Sequence, residues 1–423
     1  MGILMQEVGR LRTSRMGRNA TWMMAGQGVS VVLQAVYFAI LSRLLGAAEY
    51  GVFAGAFAFT SLAAQYSTLG SGTILLRYVS GNRDAFAAYW GNIVFLTLAV
   101  GGLLVVVLTL LGHFILNPAS ASLVVFAAVS NCLCFQFSAE MSRVFQTFER
   151  MRITAIVNMS TNLLRTLSAG AMLLIMHRAS ARDWAIASTL VSFLAAAVAV
   201  ACITSFVGSP QIFPLMFPKH AWEGVGYAFA GSTSSAYNDL DKTMLSHYGL
   251  NHDNGIYTLA YRVIDVATIP IYSIREAALP KLFERGRTSI QATSELSYRL
   301  MRRSVPIGAA LSVCTFLVAP LLPRIAGPSF SESANALRWL ALIPLFRSVH
   351  HIAGSALSGA GMQQYRTISQ VIAALFNFGL NLYMIPTYGW LGAAWSSLAT
   401  DCLLSVSNLA LLQLCLRRSV ARS

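Results

Sequence analysis

Apolar runs of about 20 residues, each long enough for a helix to cross ~30 Å of hydrocarbon, follow one another along almost the whole chain. The polar stretches between them are too short to fold independently. The pattern predicts twelve spans at 20–41, 51–71, 88–111, 122–146, 153–176, 184–206, 223–245, 256–279, 304–325, 335–357, 367–386 and 390–416. Arg and Lys gather on alternate loops. With the N-terminus in the cytoplasm, Arg10, Arg12, Arg15, Arg18, Arg77, Arg83, Arg150, Arg152, Lys219, Lys281, Arg285, Arg287, Arg299, Arg302, Arg303, Arg366, Arg417, Arg418 and Arg422 all fall inside. Only Arg43, Arg178, Arg182, Lys242 and Arg324 fall outside or at the outer edge. The positive-inside rule therefore predicts both termini in the cytoplasm. The expected fold class is all-α, a polytopic membrane protein. Its expected parts are a basic tail at 1–19, a six-helix lobe at 20–206, a linker at 207–222, a second six-helix lobe at 223–416 and a tail at 417–423.

Composition narrows the function classes. Hydrophobic residues make up 56% and charged ones 11% of the 423 residues, against ~25% charged in a soluble domain. The net charge of +14 lies mostly in loops and tails, where it sets topology and meets anionic headgroups. No run interleaves aromatics with cations as a nucleic-acid surface would. The six cysteines all lie inside apolar runs and read as core residues rather than disulfides or metal ligands. The first run is too long for a signal-peptide core and reads as an uncleaved span. The longest loops, 207–222 and 280–303, hold no Gly-rich phosphate cradle, no metal-spaced His/Cys cluster and no nucleophilic triad. The expectation is a non-enzyme without cofactor or metal.

The chain also repeats itself weakly. Gly46-Ala-Ala-Glu-Tyr-Gly51-Val-Phe53 precedes the second span and Gly249-Leu-Asn-His-Asp-Asn-Gly255-Ile-Tyr257 the eighth. Superposing Gly51 on Gly255 brings Phe53 onto Tyr257, Ala56 onto Ala260, Phe57 onto Tyr261 and Arg77 onto Lys281. Two six-helix lobes in parallel repeat follow, and repeat interfaces are where transporters commonly bind substrate.

The same residues carry a family resemblance. Leu41-Ser-Arg-Leu-Leu-Gly-Ala-Ala-Glu-Tyr-Gly51-Val-Phe, Leu69-Gly70, Arg77, Asp241-Lys242, Gly255-Ile-Tyr257, Leu279-Pro280, Asn381 and Pro386-Thr-Tyr-Gly389-Trp-Leu-Gly392-Ala-Ala together resemble the Wzx-type polysaccharide flippases of the multidrug/oligosaccharidyl-lipid/polysaccharide exporter superfamily. The resemblance implies two lobes around a cavity that opens alternately to each face. It implies an undecaprenyl-diphosphate-linked oligosaccharide as cargo, carried to the periplasmic leaflet of a bacterial inner membrane. Membrane lipids, a polysaccharide polymerase and chain-length machinery are the partners it brings with it. The rival readings are a cation-coupled drug or small-solute exporter of the same superfamily and a membrane-embedded glycan polymerase or ligase.

Charges inside spans are costly, by ~2.5–3.5 kcal/mol on the mildest scale. Arg165 and Arg347 lie near the middle of spans 5 and 10. Their guanidinium forks match phosphate oxygens, which makes them candidates to flank the substrate diphosphate; the alternative is that each pairs with a neighbour in its own bundle. Span 7 is the least apolar, and Ser234, Asn238 and Asp241 share one side of it as candidate cavity lining. Asp239 and Arg262 lie at similar depths on spans 7 and 8 and are expected to form a structural ion pair. Glu140 and Arg143 are a local pair one turn apart. Asp401, mid-span with no cation a turn away, is a candidate for coupling to protons or sodium, or a protonated Asp bonded within the bundle. Asn158 with Asn162, and Asn377 with Asn381, read as interhelical hydrogen-bonding stripes.

Overall fold

A computed structural model describes residues 15–211 and 218–420, without the side chains of 15–21, 23–25, 218–222, 234 and 418–420. Ser234, Lys219, Arg10, Arg12, Arg15, Arg18, Arg418 and Arg422 are thus outside the described side chains. The chain is a succession of helices: α1 (Arg15–Ala64), α2 (Ser71–Val79), α3 (Phe86–Ile115), α4 (Val124–Thr147), α5 (Met151–Met176), α6 (Ala181–Phe206), α7 (Pro218–His247), α8 (Asn251–Ala267), α9 (Ile269–Thr288), α10 (Ile290–Val318), α11 (Ser333–Leu340), α12 (Ile343–Gly359), α13 (Gln363–Tyr388) and α14 (Trp390–Val420). Among the described residues, seven helices are long and apolar enough to cross a membrane, or eight if α11 and α12, bent by 45°, form one broken span.

The twelve expected spans fall on helical chain, but several boundaries differ for identifiable reasons. Spans 1 and 2 are two helical segments of α1 that meet directly at Gly46, whose φ of 70° and ψ of 173° are non-helical. Glycine reaches that left-handed region without a Cβ penalty, so no loop is needed. Span 2 then ends at Ala64, and the turn that follows puts Leu69 and Gly70 at positive φ before α2 begins. Span 8 is divided between α8 and α9 at Thr268, and Pro270 sits in the first turn of α9, where its missing N–H costs nothing.

The chain separates into two compact units. The first takes the chain up to Leu45 together with Phe59–Ser232, and the second takes Gly46–Ala58 with Thr233–Ser423. Of α1, Gly46–Ala58 belongs with the second unit and the rest with the first. In the first unit, Leu75 and Val79 of α2 pack with Trp90 and Ile93 of α3, Met141 and Phe145 of α4, Val157 of α5 and Ile203 of α6. In the second, Leu282 of α9, Ile290 of α10, Leu357 of α12 and Leu412 of α14 form a corresponding core. The usual inside-out rule is suspended on the outer faces: Leu103, Leu110, Phe114, Leu174 and Leu317 are exposed, while Asp241, Asn377, Asn381 and Arg347 are buried. That distribution fits a solvent of acyl chains.

Candidate functional site

The polar residues of the second unit lie on helical stripes that meet in one network. Arg347, His350 and His351 are within one turn of α12; Tyr257, Tyr261 and Asp265 recur every fourth residue on α8; Ser397 and Asp401 do the same on α14. Arg347 is the hub. Its Nη2 donates to the Tyr261 hydroxyl (2.6 Å) and to Asn238 Oδ1 (3.2 Å), and its Nη1 reaches Asp265 Oδ1, Thr268 Oγ1 and the Tyr272 hydroxyl, each at 3.4 Å. Its Nε is 3.9 Å from Asp401 Oδ1. Only 3% of the Arg347 side chain is exposed. With so many acceptors around the fork, the guanidinium is fully occupied by its own bundle, which is the second of the two roles the sequence left open for it.

Asp401 is not alone either. His350 Nε2 lies 3.0 Å from its Oδ1, and the His350 ring stacks against His351, which packs in turn on Tyr272. Asp241, expected to line a cavity, is completely buried: it accepts from Tyr257, from Ser397 Oγ (2.9 Å) and from the Lys242 backbone N–H (2.8 Å). Lys242, expected near the outer edge, is buried with Nζ 2.6 Å from Asp239 Oδ1 and over the Tyr261 ring. Asn238 is half-buried and accepts from both Arg347 and Tyr261. Asp241 is thus closed off within the helix bundle, whereas Asn238 keeps a partly exposed surface.

Asp239 and Arg262, expected to pair with each other, each have a charged partner on their own helix. Asp239 takes Lys242 one turn further along α7, and Arg262 takes Asp265 one turn along α8 at 3.5 Å. Both pairs are local, as the i,i+3 geometry of a helix favours. The Glu140–Arg143 pair forms as expected, at 3.0 Å, and Asn381 donates to Asn377, which donates to Thr400 on α14. Within the Arg347 network the cations Arg347, Lys242 and Arg262 face the carboxylates Asp239, Asp241, Asp265 and Asp401. One proton on His350 or on one of the carboxylates brings this set to neutrality.

Arg165 in the first unit is the opposite case. It is half-buried on α5, its Nη2 donates to Ser192 Oγ of α6 at 3.2 Å, and its guanidinium lies 4.4 Å above the Phe135 ring. Among the described residues, no carboxylate pairs with it. Most of the fork's donors are left to whatever enters beside it.

Tyr257, Tyr261, Tyr272, Thr268 and Ser397 are the network members that sequence reasoning missed. The available signal was the i,i+4 spacing of Tyr257 and Tyr261 with Asp265 on a span that also carried Arg262.

Solved transporters of the MOP superfamily share this fold. The inward-facing form of a multidrug resistance MATE family transporter matches with a TM-score of 0.71 at 14% identity, over 91% of this chain and 96% of that one. A MOP superfamily transporter from Pyrococcus furiosus matches with a TM-score of 0.68 at 14% identity, over 98% of both chains. An uncharacterised membrane protein of Methanocaldococcus jannaschii is 24% identical over 224 residues, 48% of this chain and 43% of that protein, so the chain spans less than half of this curated relative. The chain is thus a multi-pass, all-α membrane protein with the MOP transporter fold. It belongs to the polysaccharide biosynthesis protein family, whose model matches residues 16–285.

Proposed function

We propose that the protein is a flippase that moves an undecaprenyl-diphosphate-linked oligosaccharide from the cytoplasmic to the periplasmic leaflet by alternating access, with Arg165 engaging the diphosphate. The observation that carries this reading is the state of Arg165: a guanidinium within an apolar helix, bonded to one neutral hydroxyl and otherwise uncommitted. An anionic group arriving there supplies the charge partner that the helix bundle does not. A cationic drug gains nothing at such a site, which weighs against the exporter reading. Family membership supports polysaccharide as the cargo class.

In this reading Arg347 holds the second unit together rather than the headgroup, and the Asp401–His350 pair is the ion-coupling candidate, taking and releasing the proton that balances the network. Both termini lie in the cytoplasm of a bacterial inner membrane, and polymerase and chain-length machinery act on the delivered glycan.

The test is export of surface polysaccharide in a strain lacking the native gene, with membrane protein level measured for each variant. Arg165→Gln is expected to abolish export at unchanged protein level, and Arg165→Lys to restore it partly, because an ammonium keeps the charge and loses the bidentate fork. Normal export from Arg165→Gln overturns the assignment.

A further inference from the structure

The break between α11 and α12 creates a feature that the transport cycle leaves unused. The two helices meet at 45°, with Pro344 in the first turn of α12. The bend, with the small residues Ser312 and Ala341 beside it, opens a groove of about 460 Å³ against α10 and α14, walled by Val313, Phe316, Trp339, Leu342 and Leu398. One charged residue lines it, Arg338. Its guanidinium lies 5.7 Å from the Phe316 ring centroid and its Nη1 is 3.4 Å from Asn335 Oδ1. Among the described residues, no carboxylate pairs with it. The nearby acid, Glu332, is taken by the Trp390 indole N–H at 2.7 Å.

The depth of the groove is marked by aromatics. Trp339 packs edge-on against Trp395 at 5.7 Å, and Tyr388 against Trp395 at 5.3 Å. Such a belt belongs at the level of lipid headgroups. Below Arg338 the groove wall is open to the acyl region, with Val313 60% and Phe316 51% exposed. An uncommitted cation at headgroup level above an apolar slot complements a lipid with an anionic phosphate and a hydrocarbon chain. We propose that this groove is a binding site for an anionic phospholipid, its phosphate on Arg338 and one acyl chain between Phe316, Trp339 and Leu342.

The experiment uses the full chain in lipid vesicles and reads the fluorescence of Trp339, isolated as the difference between the protein and Trp339→Phe. Phosphatidylglycerol with brominated chains is compared with phosphatidylcholine carrying the same chains. Phosphatidylglycerol is expected to quench Trp339 at about fivefold lower mole fraction, the preference that one interfacial cation confers. That preference should vanish in Arg338→Gln and survive in part in Arg338→Lys. Ala341→Leu and Ser312→Val, which narrow the slot, should reduce quenching by both lipids. Equal quenching by the two lipids in the unaltered protein overturns the proposal, as does a preference that persists in Arg338→Gln. Displacement of the brominated phosphatidylglycerol by a polyprenyl phosphate at much lower mole fraction also overturns it, because the groove would then hold the cargo's tail.

Discussion

Gly51 and Gly255 pack backbone against backbone, and the contact is reciprocal. A Cβ on Gly51 would strike the Asn251 carbonyl and the Gly255 amide, while a Cβ on Gly255 would strike the Ala47 carbonyl. Asn254 fastens the crossing by donating its amide to the Gly51 and Lys242 carbonyls, both at 3.0 Å. Backbone cannot yield as a side-chain tip can. Gly51→Ala and Gly255→Ala are each expected to lose about 1–3 kcal/mol, the usual cost of overpacking. Thermal unfolding in detergent checks this, and Gly102→Ala, where an added Cβ meets nothing within 4 Å, is the control that should stay unchanged.

The internal repeat in the sequence superposes Gly51 on Gly255 and therefore Ala47 on Asn251, and these four residues make the crossing. The similarity of the two segments was legible because a close helix approach demands glycine at one position in each. The helices themselves were legible from apolar run length. The Arg347 site was not. Its acceptors come from Asn238, Tyr261, Asp265, Thr268, Tyr272 and Asp401, which lie on α7, α8, α9 and α14 or between them and converge only through tertiary packing. A span read alone shows a lone arginine.

Arg347 and Arg165 should separate by phenotype. Removing the Arg347 charge leaves the buried Asp401 without its neighbouring cation, a change that costs about 3–5 kcal/mol for a buried pair. Arg347→Gln is therefore expected to lower membrane protein level and melting temperature, whereas Arg165→Gln leaves both unchanged. Equal melting temperatures for Arg347→Gln and the unaltered protein would show that the network carries no structural load.

The Asp239–Lys242 pair is one-sided in its burial: 3% of the lysine side chain is exposed against 24% of the aspartate. Lys242→Met should therefore be tolerated better than Asp239→Ala, because the first leaves its partner near solvent and the second strands a buried ammonium. A double-mutant cycle on thermal stability measures the coupling, and strictly additive losses would mean the pair contributes nothing.

Asp253 lies in the first turn of α8, outside the spans, and accepts from the Trp390 N–H at 3.1 Å where α14 begins. Burial pushes its carboxyl above the ordinary value of 3.8, and the Trp390 hydrogen bond opposes that only in part. The folded protein thus holds the proton to higher pH than the unfolded chain does. This group's contribution to stability is full below 3.8 and declines as pH rises through the raised value. Asp253→Asn, which cannot ionise, should flatten the pH dependence of the melting temperature in that window. An unchanged slope would assign the dependence to other groups.

Asp401 and His350 supply the test of ion coupling. Their 3.0 Å contact is buried and lies at the edge of a network with one more carboxylate than cation, so a proton taken up there changes the net charge of that network from negative to neutral. Asp401→Asn fixes that site in its uncharged form. If the site couples transport to protons, export should be lost while the protein remains inserted, since the amide retains the shape and a hydrogen bond to His350. Reconstituted protein should then show proton movement linked to cargo in the unaltered chain and none in Asp401→Asn. His350→Gln keeps a polar partner for Asp401 but removes a titrating ring, and it should shift the pH at which export is fastest rather than abolish it. Export by Asp401→Asn at the normal rate and with the normal pH profile would remove Asp401 from coupling and leave the pair a purely structural bond.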